Sequence, residues 1–597
     1  MLKTPFQNLV IREQRRYKNQ GFSKKENVGI DSETYLGYTR LLCDSYGRNK
    51  FISSFEDILN FFSYDGYRNR YNWFFNIQYD FESMIKFLDK ETLLTLYNEN
   101  QIEYNHFHIF YIPKKYFSLT DKNNHHYYFY DINNFVESSL NKISKKYFNE
   151  TKLDLIDSSR LNKDKQYWQD NEKDIIKYCL RDASLTKRVA DYFWNLIYSQ
   201  LKFYPKRPFS KGKLSEEYFL YKCYVPTIND IPRSVLHIAY NHYHGGRFEL
   251  IKRGYFPKSI IYDIKSAYPK QIADLIDFNR GKWEKTNKYS GDADYGFYHC
   301  KVRGYNTNLS PFVMKVGQLN IFPNGEFYQY LSDKEIRFIR KRFPNISIEI
   351  LGGVEFKVFT EMYPFRDEIL KLYEWKEREK EETIKYAVKI ILNSLYGKMI
   401  QVTKGKTGKI FNPINATLIT SNTRIALLDF AMQKPEAIIA LSTDSVHTTE
   451  KFNIPLHPKL GDFSFDFEGQ GYYLMSDIYT IIGEKKKKHR LRGFTTIEES
   501  VDKKELEKGI DYILNELKEK DSLIYRYISE RPLHLGECLL QKNKHTLDDI
   551  NIFSLVKKKI NLNGDMKRIW DRPFSSAKDA LENNISSLPI LIKSLKN

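Results

Sequence analysis

Residues 260–269 read Ile260-Ile-Tyr-Asp-Ile-Lys-Ser-Ala-Tyr-Pro269, and their reading decides the fold. The apolar run Ile260-Ile261-Tyr262 has the composition of a buried strand. It delivers a lone carboxylate, Asp263, to its end. A carboxylate there is costly unless it faces a cleft or holds a metal. Its expected partner is Asp444 in Leu441-Ser-Thr-Asp-Ser445, where two β-like runs flank the acid and predict a hairpin. Asp at such a tip is usually only a turn former. If the two acids meet, they form a two-metal phosphoryl-transfer site.

Between them, residues 386–398 read YAVKIILNSLYGK. Lys385, Lys389 and Asn393 are spaced i, i+4, i+8 and share one face of a helix. Two ammonium groups followed by an amide suit a triphosphate followed by a sugar and base, because Lys supplies point charge for phosphate. The ordinary alternative is a solvated basic stripe. The Asn393-Ser-x-Tyr396-Gly397 run that follows argues against it.

The chain has 597 residues, 41% hydrophobic and 15% aromatic, enough for more than one core. Its formal charge is +19, with 94 Lys+Arg against 75 Asp+Glu, which suggests a polyanionic partner. Five cysteines (Cys43, Cys179, Cys223, Cys300, Cys538) form no C-x-x-C pair; this argues against a disulfide framework or structural zinc and fits a reducing compartment. No apolar run approaches the ~18 residues of a membrane span, so no membrane partner and a cytoplasmic location are expected.

The N-terminal third alternates β-like and helical runs. Val28-Gly-Ile30 leads as a strand into Asp31-Ser-Glu33, whose acids share one strand face. Residues 106–112 and 127–131 read as strands and 174–196 as a helix. On that helix Tyr178 and Asp182 are one turn apart, and Asn76-x-x-x-Asp80 adds a further acid. Four converging carboxylates (Asp31, Glu33, Asp80, Asp182) would hold two divalent ions, with Tyr178 orienting an attacking water. Residues 204–213 read as a basic linker. Residues 276–355 read as an inserted α+β module, 361–397 as helical with a solvated charged tip at 374–382, and 415–432 as a helix. In Tyr243-His-Gly-Gly-Arg247 the glycines permit close backbone approach, and Arg247 is placed to meet a phosphate. Lys557, Lys558, Lys559, Lys567 and Arg568 would grip duplex phosphates.

Asp-x-x-Ser-x-Tyr-Pro, Lys-x-x-x-Asn-Ser-x-Tyr-Gly and Thr-Asp-Ser, in this order and spacing, resemble motifs A, B and C of family-B DNA polymerases. The three N-terminal patterns are similar to that family's exonuclease motifs. The resemblance implies a multidomain α/β and α+β protein, an RNase H-like 3′-5′ exonuclease domain followed by a right-hand palm, fingers and thumb. The exonuclease would span residues 1–195 and a linker with the Tyr-x-Gly-Gly loop 196–254. The palm would comprise 255–275 and 398–482, the fingers 361–397, and the thumb or C-terminal DNA-binding region 483–597. Residues 276–360 match in place the first insertion of protein-primed members from phages, archaeal viruses and linear plasmids. The second insertion, between motifs B and C, is reduced to a hairpin at 399–411, which predicts weaker strand displacement.

The resemblance also implies roles. Asp263 and Asp444, like Asp31, Glu33, Asp80 and Asp182, would bind Mg2+, two ions per active site, with Mn2+ as substitute. Lys385 and Lys389 would contact the triphosphate, Asn393 and Tyr396 the nascent pair, and Tyr268 would be the steric gate that selects dNTPs. Asn76, Ser139 and Leu140 would grip single-stranded DNA and Lys152 would be a further catalytic lysine. Tyr243, Gly245, Gly246 and Arg247 would partition the strand between the two sites, and Tyr479 would contact the primer. Partners would be primer–template DNA, dNTPs and a terminal protein primer, bound by a monomer. Two departures stand out. Ser442 replaces the first carboxylate of motif C, and the Lys-x-Tyr motif aligns with Asp477-Ile-Tyr479, so its lysine is replaced, with Lys485–Lys488 as the source. Priming by RNA or DNA, or none, is one alternative; an exonuclease with a decayed polymerase site is another.

Overall fold

The structure, a computed structural model, describes residues 4–15, 24–136, 138–305, 307–476, 478–491, 522–541 and 545–593. Near the N-terminus stands an eight-stranded sheet. Its strands Asn27–Tyr35, Tyr71–Phe74 and His126–Asp131 run parallel, with antiparallel strands on both sides. The central strand is covered on both faces, as its nearly continuous burial requires. The 30-residue helix Glu172–Leu201 lies across it. A Cβ on Gly29 would stand 1.9 Å from the Ala183 carbonyl oxygen. Only glycine lets the helix approach so closely, and this approach brings Asp182 to Asp31, two residues along the strand.

The second sheet has nine strands and is built on the 13-residue strand Lys252–Ile264. That strand pairs on one side with Phe463–Met475 and on the other with Ser445–Thr448, followed by Ile438–Ser442 and Phe248–Leu250. The expected tip is a two-residue turn, Thr443-Asp444, between antiparallel strands. The sheet reaches past residue 482: Lys487–Leu491 is its edge strand beside Ile478–Ile482. It also takes in Asn584–Pro589, which pairs with Lys252–Gly254, and Arg568–Trp570. The helix expected at 415–432 runs Pro413–Ala431, with Pro at its first turn and the Asn412 side chain accepting from the Asn415 N–H.

Residues between the motif A strand and the helical hairpin form a five-stranded sheet of their own. Gly281–Thr286, Ser347–Val358, Tyr295–Gly304 and Asn324–Ser332 are joined there by Leu591–Ile592. Helix Asp333–Arg342, opened by a Ser332/Glu335 capping box, packs against it. Helices Arg366–Arg378 and Glu382–Met399 form the hairpin read from 361–397. Only the two-stranded Val402–Thr403/Lys406–Thr407 hairpin, one helix and a single 3-10 turn precede Ile438, as the sequence suggested.

The C-terminal region differs most from expectation. Leu533, Leu535, Cys538 and Ile550 complete the core of the first sheet with Ile85, Leu93 and Leu96. The Lys86 ammonium donates to the carbonyls of Leu36, Asp548 and Ile550 at 2.8, 2.6 and 3.1 Å. This lysine fastens residues 548–550 to the N-terminal unit. Arg568, expected on duplex phosphates, is buried and donates to Glu249, Ser587 and the Asn308 carbonyl. Lys557, Lys558 and Lys559 lie on the strand Phe553–Asn561, and Lys567 donates to the Phe248 carbonyl at 3.2 Å.

Candidate active sites

Asp263 pairs with Ser445 across the ladder, and the Ile264 N–H donates 2.8 Å to the Asp444 carbonyl. The two motif acids therefore stand at adjacent strand ends. Burial raises the Asp263 carboxyl, opposed by the Lys488 charge and a Ser445 hydrogen bond. Burial and then the Asp263 charge push Asp444 up to about 6. Like charges held this close without full solvent favour protons or cations. The tip is itself strained, since Thr443 is a β-branched residue at φ 57°.

A cavity of about 600 Å³ opens above Asp444 and is walled by Tyr268, Lys376, Lys385, Lys389 and Asn393. This volume suits one nucleotide. The fold thus gathers residues of the three central motifs, between Ser266 and Asp444, around one space. Lys389 and Asn393 are exposed to it. Lys376 also enters, its ammonium 3.0 Å from the Ser266 hydroxyl; of the charged run read as a solvated tip, Lys376 and Glu377 turn inward. The Tyr268 ring packs at 4.6 Å on Tyr396, whose hydroxyl meets that of Tyr243 at 2.7 Å.

The Tyr243–Gly246 loop rests on these groups. A Cβ on Gly246 would stand 2.9 Å from both the Thr443 methyl and the Tyr268 hydroxyl, whereas Gly245 has room. Arg424 holds the loop, donating 3.0 Å to the carbonyls of His244 and Gly245 and 3.2 Å to Glu335. Arg247 does not reach a surface phosphate. It is 1% exposed, forks onto Glu249 at 2.6 and 3.0 Å, and lies over the Phe322 ring. Burying its guanidinium beside Glu249 and Arg568 satisfies the charges internally. Tyr479 is also turned inward, 8% exposed, stacked on Tyr473 and edge-on to His447. Asp477 lies outside the described residues.

In the first sheet, Asp31, Glu33 and Asp182 face one another with Asp80 behind. Asp31 and Glu33 offer ligand atoms within 4.8 Å, and the Cys179 sulfur lies within the same distance. Burial, then Asp182, Glu33 and Asp80, pushes the Asp31 carboxyl well up. Burial and Asp182 raise Glu33 to about 8, and burial raises Asp80 to about 7. Ser32 donates 2.6 Å to Asp80. Lys152 binds Asp182 and stands 3.5 Å from the Tyr178 hydroxyl. Burial disfavours its charge, yet Asp182 and Asp31 hold the ammonium well above the ordinary lysine range. The second Asp182 oxygen, Oδ1, is buried without a hydrogen-bond partner among the described residues. Hard oxygen donors, raised acids and this orphaned oxygen fit a divalent cation. Ser139 is exposed and caps the helix Leu140–Phe148, accepting from the Lys142 N–H, whereas Leu140 is buried in the core and is not presented to a strand.

Residues 57–457 match the family described as DNA polymerase type B, organellar and viral. The chain belongs to this family. The viral family-B resemblance read from the motifs is thereby borne out. The chain is 27% identical over 294 residues to the DNA polymerase of Acidianus bottle-shaped virus (isolate Italy/Pozzuoli), covering 46% of this chain and 42% of that protein. To the DNA polymerase of Bacillus phage phi29 it is 22% identical over 225 residues, covering 32% and 38%. The chain thus spans less than half the length of these curated relatives. Its fold is similar to that of phi29 DNA polymerase complexed with primer-template DNA and incoming nucleotide, with TM-score 0.60, 16% identity, and 90% and 100% of the two chains covered. The complex of that polymerase with single-stranded DNA matches at TM-score 0.58, 15% identity and the same coverage. No helix among the described residues is long and apolar enough to cross a membrane.

Sequence reasoning missed several residues of this member of the type B family. Asp131 closes its strand and accepts from the N–H groups of Asn76 and Asn133 at 3.0 and 2.9 Å. It thereby props Asn76 in the left-handed region at φ 74°. Burial raises its carboxyl to about 6, and it adds to the charge felt by Asp80. A strand ending in an acid was the available signal, the same that marked Asp263. Lys488 lies opposite Ile481 on the edge strand, pairs with Asp466 and bears on both Asp263 and Asp444. It falls within the basic run from which a replacement lysine was expected.

Proposed function

We propose that the chain is a DNA-directed DNA polymerase with a 3′-5′ proofreading exonuclease. The observation that carries this reading is one cavity holding Asp444, Lys385, Lys389, Asn393 and Tyr268 beside Asp263. In this reading the nine-stranded sheet is a palm, the helical hairpin forms the fingers and the C-terminal region the thumb. The first sheet is an RNase H-like exonuclease, and the five-stranded sheet is the insertion that meets a terminal protein. Asp263 and Asp444 would hold two Mg2+, or Mn2+ in its place, and Asp31, Glu33, Asp80 and Asp182 two more. Bound there, the ions would activate the attacking oxygen and stabilise the charge on the leaving group.

The residues around them set the substrate. Lys385 and Lys389 neutralise the triphosphate, and Lys376 orders the turn through Ser266. Tyr268, braced by Tyr396, would stand against the sugar of the incoming nucleotide and so favour dNTPs. In the exonuclease, burial raises the Asp182 carboxyl and Lys152 opposes that rise, and the Tyr178 hydroxyl would orient the incoming water. Primer–template DNA and dNTPs are the substrates, with a terminal protein as primer. The family match and the fold likeness support this reading.

One labelled DNA hairpin tests it, with dNTPs and Mg2+. Wild type should extend and degrade the primer, Asp263→Ala should only degrade it, and Asp31→Ala should only extend it. Loss of both activities in either variant would overturn the division into two sites. Transfer of the first dNMP onto a candidate terminal protein tests the priming mode; growth only from nucleic acid primers would refute it.

A further inference from the structure

The three parallel strands of the first sheet carry Asp31 and Asp131 toward their C-terminal ends. At their N-terminal ends lies a different cavity, of about 320 Å³. Lys25 precedes strand Asn27–Tyr35, Arg68 and Arg70 precede Tyr71–Phe74, and His125 precedes His126–Asp131. Lys206 and Arg207 close the wall from the following connection. Six residues of extended chain separate Lys25 from Asp31, roughly 20 Å, so the cavity is remote from the carboxylates.

Its wall gathers five cations and two histidines, and none of its lining residues is acidic. The nearest carboxylates act from outside. Asp65 pairs with Arg68 at 3.3 Å, Glu26 with Arg70 at 2.8 Å and Asp121 with His125 at 3.0 Å. Glu217 accepts from the Arg207 N–H and pairs with Lys213. Among the described residues Lys25 and Lys206 form no ion pair. Burial, with Lys206 and Arg207 beside it, depresses the Lys25 ammonium. Like charges converging on a part-buried space are costly until an anion enters.

The wall also offers a flat surface. The Arg207 guanidinium lies 4.6 Å from the Tyr128 ring centre and donates 2.8 Å to its hydroxyl. Guanidinium and aromatic planes are the platforms on which unpaired bases stack. Lys206 and Arg207 are exposed, so positive charge continues past the rim. That suits a run of phosphates better than a single one.

We propose that this cavity binds one nucleotide of single-stranded DNA, its phosphate on the cations and its base on the Arg207–Tyr128 platform. The inference rests on the polymerase reading and adds to it a strand contact outside both active sites. The occupant is a strand remote from the 3′ end, so the cavity tethers single-stranded DNA while either site works.

Fluorescence anisotropy of a labelled oligodeoxythymidine tests this, in EDTA so that no strand is degraded, across a salt series. Arg68→Gln and Lys206→Gln lie in neither active site. Each should lower the slope of log affinity against log salt by about 0.7, the share of one phosphate contact to a single strand, and Lys206→Arg should restore it. Slopes equal to wild type in both Gln variants would overturn the proposal. So would loss of the wild-type advantage on adding millimolar dTTP, which would assign the cavity to free nucleotides. Hairpin extension and degradation, run in parallel, report on the polymerase reading alone: their absence in wild type with the slope change intact would sink that reading and leave the binding site.

Discussion

Replacing Gly246 by Ala probes how closely the loop is fitted to the synthetic site. The new methyl carbon would stand 2.9 Å from the Thr443 methyl and 2.9 Å from the Tyr268 hydroxyl. Carbon and oxygen atoms need about 3.5 Å, so each neighbour must yield by about half an ångström. Neither can do so freely. Thr443 is held at φ 57° in a two-residue turn, and Tyr268 is braced at 4.6 Å by Tyr396, itself hydrogen-bonded to Tyr243. Overpacking of this kind costs about 1–3 kcal/mol. If the displacement is felt when the nucleotide binds, kcat/KM for dNTP falls roughly 5- to 150-fold. Discrimination against rNTPs changes with it, because the Tyr268 hydroxyl moves. Single-nucleotide incorporation on a hairpin measures both, and degradation of single-stranded DNA by the same preparation serves as control. Gly246→Ala with dNTP kcat/KM within twofold of wild type would show that the loop does not bear on Tyr268 in the working enzyme. Gly245→Ala, where the structure has room, should have little effect.

Asp444→Asn should abolish incorporation, whereas Ser442→Ala should weaken it only modestly, since among the described residues the Ser442 carbonyl, not its hydroxyl, does the bonding; equal losses would contradict the assignment of the metals to Asp263 and Asp444. Glu249→Ala leaves Arg247 and Arg568 buried without their shared carboxylate, and should cost about 3–5 kcal/mol, read as a shift of the urea midpoint; a stability within 1 kcal/mol of wild type would refute the buried triad. Glu33, Asp80 and Asp444 are raised to about 8, 7 and 6 in the folded chain. The native state thus holds more protons than the unfolded one between about pH 4 and 8, and metal-free stability falls as pH rises through that window. Mg2+ must displace those protons, so the gain in thermal stability from Mg2+ should be larger at pH 8 than at pH 5.5. An equal gain at both would rule out these acids as the ligands.

Local chemistry made much of this legible. Asp263, Asp31 and the Thr443-Asp444 tip each end a run with strand composition, and the Lys385/Lys389/Asn393 spacing fixes a helix face without help from the rest of the chain. The errors fall where a partner lies far away in sequence. Arg247 reads as a phosphate ligand because Glu249 and Arg568 must be seen together, and Arg568 is 319 positions from Glu249. Asp131 escapes notice because its purpose is to hold the backbone of Asn76, 55 positions earlier. Leu140 fits a strand-gripping pattern, yet its apolar side chain is buried in the large core that also holds Phe135 and Phe193. Arg424 carries no signal at all, being one of two charges, with Asp429, in a helix that is otherwise apolar or neutral. Pattern reports which groups can act; burial and pairing decide which are left free to act.

The strand Asn584–Pro589 bears on how the protein is made. It pairs with Lys252–Gly254, and Lys252 meets Ser586, 334 positions later. At ribosomal rates of about 5–20 residues per second, that separation is a delay of roughly 17–67 s. Through it the start of the central strand waits with open backbone N–H and carbonyl groups, a template for pairing with other chains. Leu591–Ile592, which completes the five-stranded sheet beside Asn324–Gly325, emerges later still. The nine-stranded and five-stranded sheets are therefore sealed by the same late-born segment, and a nascent chain halted before it would carry both unfinished edges at once.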